Sequence, residues 1–394
     1  MTSFRTFAAA LALTVGAGLA VAAVEAPAGV AAPASKAHVQ KKKAKQRVKV
    51  ELTPPISAAG KRPGKADAAK VVVAGTFRPK KAGRTVVLER KAGKKWVKAG
   101  AARQDATGVV EIAGPFLVKG KAVTYRLRAT GSGMPNTVSK SVSTWAWTGK
   151  ELFTDEFDGN ALDSSVWSFR EQDYGHAGQR TCSRTEATNT KVGQGVARLV
   201  VGKDSTKNGR CKYAGKSYAW RTNALIGTET GFSFKYGYAA ARVKLNALRG
   251  QHFGFWLQPT SRTANRGNAK KTGAEIDVAE WFGNNHPSGG LSSYVHYYPH
   301  GGNGKKVGSW IKQVSQYGNG WSKKYHVFSV KWTPKSYTFY IDGQVTNVIK
   351  EGVSGRDQYL LLSQLSSDYQ LKYLANEKKL PQGSSVDWVR VWSL

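Results

Sequence analysis

Glu275, Asp277 and Glu280 fall within one short stretch, "AEIDVAEW" (residues 274–281), of a chain that carries 60 Lys and Arg against 25 Asp and Glu. They are the only acidic residues between Glu229 and Asp342, and no Lys or Arg lies among them. Such crowding is costly, because like charges raise one another's pKa and titrate as a coupled set. Three carboxyls sharing a dry face cannot all ionise. One keeps a proton while another stays anionic. Glycosidic bond cleavage by two carboxyls needs that division: an acid to protonate the leaving oxygen and a carboxylate to attack the anomeric carbon.

A helix would scatter the three, since positions 275 and 280 would lie roughly 140° apart around its axis. On a strand, Glu275 and Asp277 share a face and Glu280 takes the other. One extra residue between Asp277 and Glu280, a β-bulge, returns Glu280 to the shared face. The reading is therefore a bulged strand with Ile276 packed into a core behind it. Trp281 reads as core, not as a sugar platform. Two other readings use the same residues. A calcium site could take three carboxylates, although such loops are usually richer in Asp, Asn and Gly. A solvated acidic patch is opposed by the interleaved Ile276, Val278 and Trp281.

The strand must sit in an all-β frame. From about Val48 to Thr144 the chain runs in short alternating stretches such as "KAVTYRLRAT", with Gly, Pro and Lys at the turns, as in an antiparallel β-sandwich of about 100 residues. "STWAWTGKELF" marks a boundary near residue 147. Alternation then continues to the C-terminus through "YHVFSVKW", an Asp342-Gly343 hairpin and "SSVDWVRVWSL". No long helical period, internal repeat, phosphate loop or Gly-x-Ser-x-Gly elbow occurs. The expected division is 1–34 signal peptide, 35–47 basic linker, 48–147 β-sandwich and 148–394 a second all-β domain. The N-terminal run has a charged start, an apolar stretch and Ala32-Pro33-Ala34 before Ser35, as a cleaved export signal does. A membrane anchor is the competing reading. Export places the mature protein outside the cytoplasm, and there Cys182 and Cys211 are expected to pair as one disulfide. Two free thiols or a metal pair are the alternatives.

Charge is uneven. Residues 1–150 hold 28 Lys and Arg against 6 Asp and Glu, a net of +22 out of +35. A basic exported protein is drawn to anionic surfaces. The expected partners are a polysaccharide substrate and, through the N-terminal domain, an anionic cell-wall or matrix polymer. Nucleic acid is not expected, and the protein should be a monomer. The plain alternative is a solubilising surface.

"EIDVAEW" resembles the bulged Glu-x-Asp-x-x-Glu signature of glycoside hydrolase family 16, in its laminarinase-like form. "FTDEFDG" (153–159), "KYGYAAARVKL" (235–245), "GFWLQP" (254–259), "YHVFSVKWTPKSYTFYIDG" (325–343) and "VDWVRVW" (386–392) extend the resemblance over about residues 150–394. The N-terminal sandwich resembles the immunoglobulin-like modules that accompany exported bacterial enzymes. The family resemblance implies a concanavalin-like β-jelly-roll with a concave cleft and a retaining mechanism. Glu275 would be the nucleophile, Asp277 the residue that orients it, and Glu280 the acid and then the base. Trp256 resembles a substrate-binding cleft residue, and core is the equal alternative. His296 resembles a family histidine near the acid. His326 reads as a packed structural histidine. Asp387 matches an aspartate that in many members helps bind a structural calcium; a plain surface Asp is the alternative. Catalysis by this route needs no cofactor. The resemblance implies an endo-β-glucanase acting on β-1,3 or mixed β-1,3/1,4 bonds. Other readings stay open: a hydrolase or transglycosylase of another, anionic polysaccharide, or a non-catalytic carbohydrate-binding protein. The departures bear on substrate. His252 and Phe253 stand where the family has Trp-Pro, and the segments "TSRTANRGNAKKTGA" and "FGNNHPSGG" are unusual.

Overall fold

Alternating apolar residues in the N-terminal part build a two-sheet sandwich. The structure, a computed structural model, describes residues 44–56, 70–144, 150–260, 268–298 and 304–394. The expected signal segment and most of the basic linker lie outside the described residues. One sheet pairs β1 (Arg47–Leu52), β2 (Lys70–Arg78) and β5 (Val109–Pro115) in the order β1-β2-β5. The other contains β3 (Thr85–Ala92), β4 (Lys95–Arg103), β6 (Thr124–Thr130) and β7 (Val142–Ser143) in the order β7-β6-β3-β4. Val71, Val73 and Phe77 face Val86, Leu88, Tyr125 and Leu127 in a shared core. Residues two apart share a face of a strand, so the intervening positions point outward on both sides.

The C-terminal part is a larger sandwich made from one continuous sheet that folds over on itself. Its strands are β8 (Val196–Lys203), β9 (Arg221–Gly227), β10 (Gly237–Lys244), β11 (His252–Pro259), β12 (Glu275–Trp281), β13 (Leu291–Tyr297), β14 (Lys305–Trp310), β15 (His326–Thr333), β16 (Ser336–Ile341), β17 (Gln344–Ile349), β18 (Gln358–Leu365) and β19 (Gln382–Trp392). The order is β14-β13-β12-β11-β18-β9-β8-β19-β10-β15-β16-β17. The chain turns the corner at β8, which pairs with β19 along Ala197–Val201 and with β9 only at Gly202 and Lys203. This makes a front layer, β14 to β9, and a back layer, β8 to β17. Phe253, Phe255, Leu257, Ile276, Leu360 and Leu362 fill the space between them against Ala239, Val243, Phe328, Val330, Trp332 and Val389. Each fully buried large side chain is worth about 1.5–3 kcal/mol. The fold is the all-β sandwich that the alternation predicts, in the jelly-roll form that the family resemblance implies.

The N-terminal sandwich is not a free arm. Residues 43–394 form one compact unit. Val72 on β2 and Ile56 after β1 pack with Tyr238, Val327, Tyr340, Trp388 and Trp392 of the back layer. Glu111 on β5 accepts from Lys331 Nζ at 2.5 Å and from Tyr340 Oη at 3.1 Å. An alternating strand shows two faces but does not reveal what covers the second one. Here the outward face of the β1-β2-β5 sheet is covered by the back layer of the C-terminal sandwich. A cavity of about 1270 Å³ remains beside this contact, lined in part by Arg103, Asp105, Glu111, Lys331 and Lys350.

Cys182 and Cys211 are joined as a disulfide, with Cα atoms 5.6 Å apart. The pair is buried beside Leu371 and Trp220. The expected bridge is present.

Candidate active site

The strand bearing the three carboxylates is bulged where the sequence requires. On β13, Tyr294 lies opposite Asp277 and Ser292 lies opposite Glu280, so three steps on β12 match two on its neighbour. On the other side, Phe255 pairs with Ala279 and Trp256 with Asp277. The extra residue is absorbed at Val278 and Ala279, which both enter the core. Ser293 Oγ donates to the Val278 carbonyl at 2.8 Å and satisfies the backbone that the bulge frees. Glu275, Asp277 and Glu280 therefore all stand on the front face. Ile276 is fully buried behind them, and Trp281 is core, its indole N–H donating to the Asn246 carbonyl at 2.7 Å. Entry to the strand depends on Gly273, whose φ of 87° and contact with Pro259 leave no room for a side chain.

Each carboxylate has its own surroundings. Glu275 accepts from Gln258 Nε2 at 2.8 Å. The Gln258 carbonyl oxygen is already taken by Arg170 Nη1 at 3.1 Å and Tyr359 Oη at 2.9 Å, so its amide N–H has one direction left. Asp277 is 5% exposed, and His296 Nε2 lies 3.2 Å from its Oδ2. Burial, and then the charge of Glu275, hold the Asp277 carboxyl well above the usual range. Burial pushes His296 below its ordinary value. Glu280 accepts from Ser292 Oγ at 3.2 Å. Burial first, and then Asp277, push it up to about 8. Lys306 bears on both Asp277 and Glu280, and it pulls each of them down. Its ammonium sits over the Tyr294 ring at 3.6 Å.

The other residues singled out in the sequence fall as follows. Trp256 is on the front face in register with Asp277, half-buried, and its indole donates to Ser363 Oγ at 3.1 Å. His296 stands opposite Glu275, with its Nε2 beside Asp277, and the charge of Glu280 also bears on it. His326 is buried, bonded to Asp342 at 2.8 Å and to the Asn319 carbonyl at 3.1 Å, as a packed histidine should be. Asp387 accepts from Arg242 Nη1 at 2.5 Å. A hard dication needs several oxygen ligands. With Asp387 paired to a guanidinium, a calcium there would draw its other ligands from backbone carbonyls and water. Among the described residues, Glu275, Asp277 and His296 are the one group that could converge on an ion, with donor atoms within 4.8 Å of one another. His252 stacks on Phe282 with centroids 5.1 Å apart, and His286 stacks on Trp310 at 4.5 Å. His252 and the 282–290 loop therefore meet in one aromatic group with Trp310. Segment 261–267 lies outside the described residues.

Gln258, Ser292, Tyr294 and Lys306 escaped the reading of the sequence. Gln258 had a signal, since 254, 256 and 258 alternate onto the face of Trp256. Lys306 had none, because it reaches the site only through the pairing of β14 with β13.

Three carboxyls gathered by a bulged strand on one face of an all-β sandwich point to a class, the glycoside hydrolases. The chain belongs to glycoside hydrolase family 16: residues 147–394 match the family model described as beta-porphyranase A–D, GH16 domain. It is similar to glucan endo-1,3-beta-glucosidase A1 of Niallia circulans, 24% identical over 61% of this chain and 37% of that protein. It is also similar to beta-porphyranase B of Phocaeicola plebeius, 23% identical over 64% of this chain and 85% of that one. Among solved structures, the laminarinase catalytic domain of Thermotoga maritima aligns with a TM-score of 0.49 and 22% identity, covering 62% of this chain and 98% of that domain.

Proposed function

We propose that the protein is an exported, retaining endo-hydrolase of a β-linked polysaccharide. The observation that carries this reading is the bulged β12, with Glu280 held protonated up to about 8 beside Glu275 on the same face. Glu280 donates its proton to the glycosidic oxygen as the bond to the anomeric carbon breaks. Glu275, aimed by the Gln258 amide, attacks that carbon and forms a glycosyl-enzyme. Glu280, now a carboxylate, takes a proton from water, which attacks the same carbon and releases Glu275. Asp277, its carboxyl raised by burial and by the charge of Glu275, stands between the two and holds Glu275 in line. With Asp277 and Glu280 protonated, the repulsion among the three is relieved. Trp256 and Tyr294 offer ring surface to the sugar. No cofactor takes part. A carbohydrate-binding protein without activity would gain nothing from carboxyls raised in this way.

For the substrate, the reading favoured is an anionic polysaccharide, with porphyran the first to test. The family model supports it, and so does the Lys306 ammonium beside the carboxylates. Neutral β-1,3 or mixed β-1,3/1,4 glucan is the second reading, supported by the likeness to the Niallia enzyme. The test is a reducing-sugar assay on porphyran, agar, carrageenan, laminarin, lichenan and xyloglucan, with NMR of the first-formed anomer. Cleavage of porphyran with retention is expected. Cleavage of laminarin alone would replace the substrate reading. Inversion, or no cleavage of any polymer, would overturn the mechanism.

A further inference from the structure

We propose that the outward face of the β7-β6-β3-β4 sheet is a second polysaccharide-binding site, which anchors the enzyme on an anionic polymer. The two sheets of the N-terminal sandwich have different fates. The β1-β2-β5 sheet spends its outward face on the back layer, through Val72 and Glu111. In the other sheet Val86, Leu88, Tyr125 and Leu127 point into the core. Glu89 and Lys91 on β3 and Arg126 and Arg128 on β6 therefore point away from it. Register places Lys98 opposite Glu89 and Trp96 opposite Lys91.

The chemistry of this face is one-sided. Glu89 is the only acid on the four strands. It is buried and doubly neutralised, by Arg126 Nε at 2.8 Å and Arg128 Nε at 2.6 Å. Burial alone would raise the Glu89 carboxyl, but Arg128 and Arg126 outweigh it and hold the group below the usual range. One acid fixes two guanidinium groups, and a net positive charge remains. Arg126 also lies over the Trp96 ring, 4.1 Å from its centroid. Lys91 and Lys98 are exposed on either side. The result is a fixed Arg–Trp platform flanked by mobile ammonium groups. Guanidinium forks match sulfate or carboxylate oxygens, and an indole edge or face suits sugar C–H groups.

The geometry limits what this site does. Front layer, back layer and two module sheets stack in turn, so at about 10 Å per layer the platform lies about 30 Å from the carboxylates. It cannot lengthen the substrate groove. It can hold a neighbouring stretch of polymer while the front face works elsewhere. Among polyanions, a polysaccharide is chosen because the ring beside the cations offers more than charge. That choice rests on the polysaccharide reading of the front face, but the binding assay below needs no turnover and stands apart from it.

The test uses the full chain carrying Glu275→Gln and immobilised dextran sulfate at physiological salt. Neutral dextran, phosphatidylglycerol vesicles and duplex DNA serve as comparisons. With a net charge of +35, unspecific attraction is certain, so the control matches the charge change. Lys91→Glu with Lys98→Glu should weaken dextran sulfate binding at least tenfold. Lys216→Glu with Lys335→Glu, also exposed, should change it less than twofold. Trp96→Ala should weaken dextran sulfate binding at least threefold with its melting temperature kept. In the otherwise wild-type chain, the lysine pair should leave turnover of soluble substrate within twofold. Equal losses for both lysine pairs would overturn the site. So would vesicle or DNA binding as tight as that to dextran sulfate and indifferent to Trp96.

Discussion

Two carboxylates, one on each of the molecule's two sandwiches, are treated in opposite ways. Glu111, between the N-terminal module and the back layer, receives an ammonium and a phenol hydroxyl. Glu280, on the front layer, receives one serine hydroxyl and two more carboxyls as neighbours. Glu89 follows the first pattern with its two arginines, and Asp277 follows the second. The chain has cations in plenty, so the scarcity of counter-ions at the front is not a matter of supply. A neutralised buried carboxylate contributes to holding layers together. A buried carboxylate without its cation costs stability and is retained where its proton is put to use.

The comparison breaks first on activity. Glu275→Gln and Glu280→Gln should each lower kcat by about a thousandfold or more, with the fold intact. Glu111→Gln should leave kcat within twofold. An activated leaving group should restore part of the Glu280→Gln rate but not that of Glu275→Gln. Steady-state rates on polymer and on an aryl glycoside would check this, and wild-type turnover in either variant would sink the assignment.

Stability should reverse the order. Glu111→Gln leaves Lys331 facing a neutral amide in a half-buried contact and should cost roughly 1–3 kcal/mol, read as a fall of several degrees in melting temperature. Glu89→Gln should act in the same direction, since two guanidinium groups lose their partner. Glu280→Gln should instead become stabilising relative to wild type as pH rises. The sign follows from linkage. The folded-state pKa of Glu280 lies above its unfolded value, so its favourable contribution is complete at acid pH and is lost as pH rises through about 8. Glutamine does not titrate, so the difference in melting temperature should grow by a few degrees between pH 5 and pH 9. A constant gap across that range would show that Glu280 is not held protonated by the fold.

Much of the front face could be read from the sequence because its signals are local. Period-two alternation placed Ile276 behind the carboxylates, and the five-residue spacing of Glu275 and Glu280 demanded the bulge that Val278 and Ala279 provide. The cysteine pair was legible from compartment and count. The back of the molecule was not legible. Val72 and Glu111 alternate like any strand residues, and nothing near them in sequence says that Tyr238, Tyr340 and Trp388 cover them from more than a hundred residues away. For the same reason Lys306 and the contact of His296 with Asp277 were missed. Local pattern fixes which face a residue takes. Only topology decides what it meets there.

The most direct test of the central claim is the pH dependence of kcat/KM on the polysaccharide, whose sugar leaving group needs the proton. The proposed acid Glu280 is pushed up to about 8, so wild-type kcat/KM should fall about tenfold per unit above that pH. In Glu280→Gln the alkaline fall should vanish, leaving a lower and flat rate. An alkaline limb that survives unchanged in Glu280→Gln would assign the proton to another group and contradict the account.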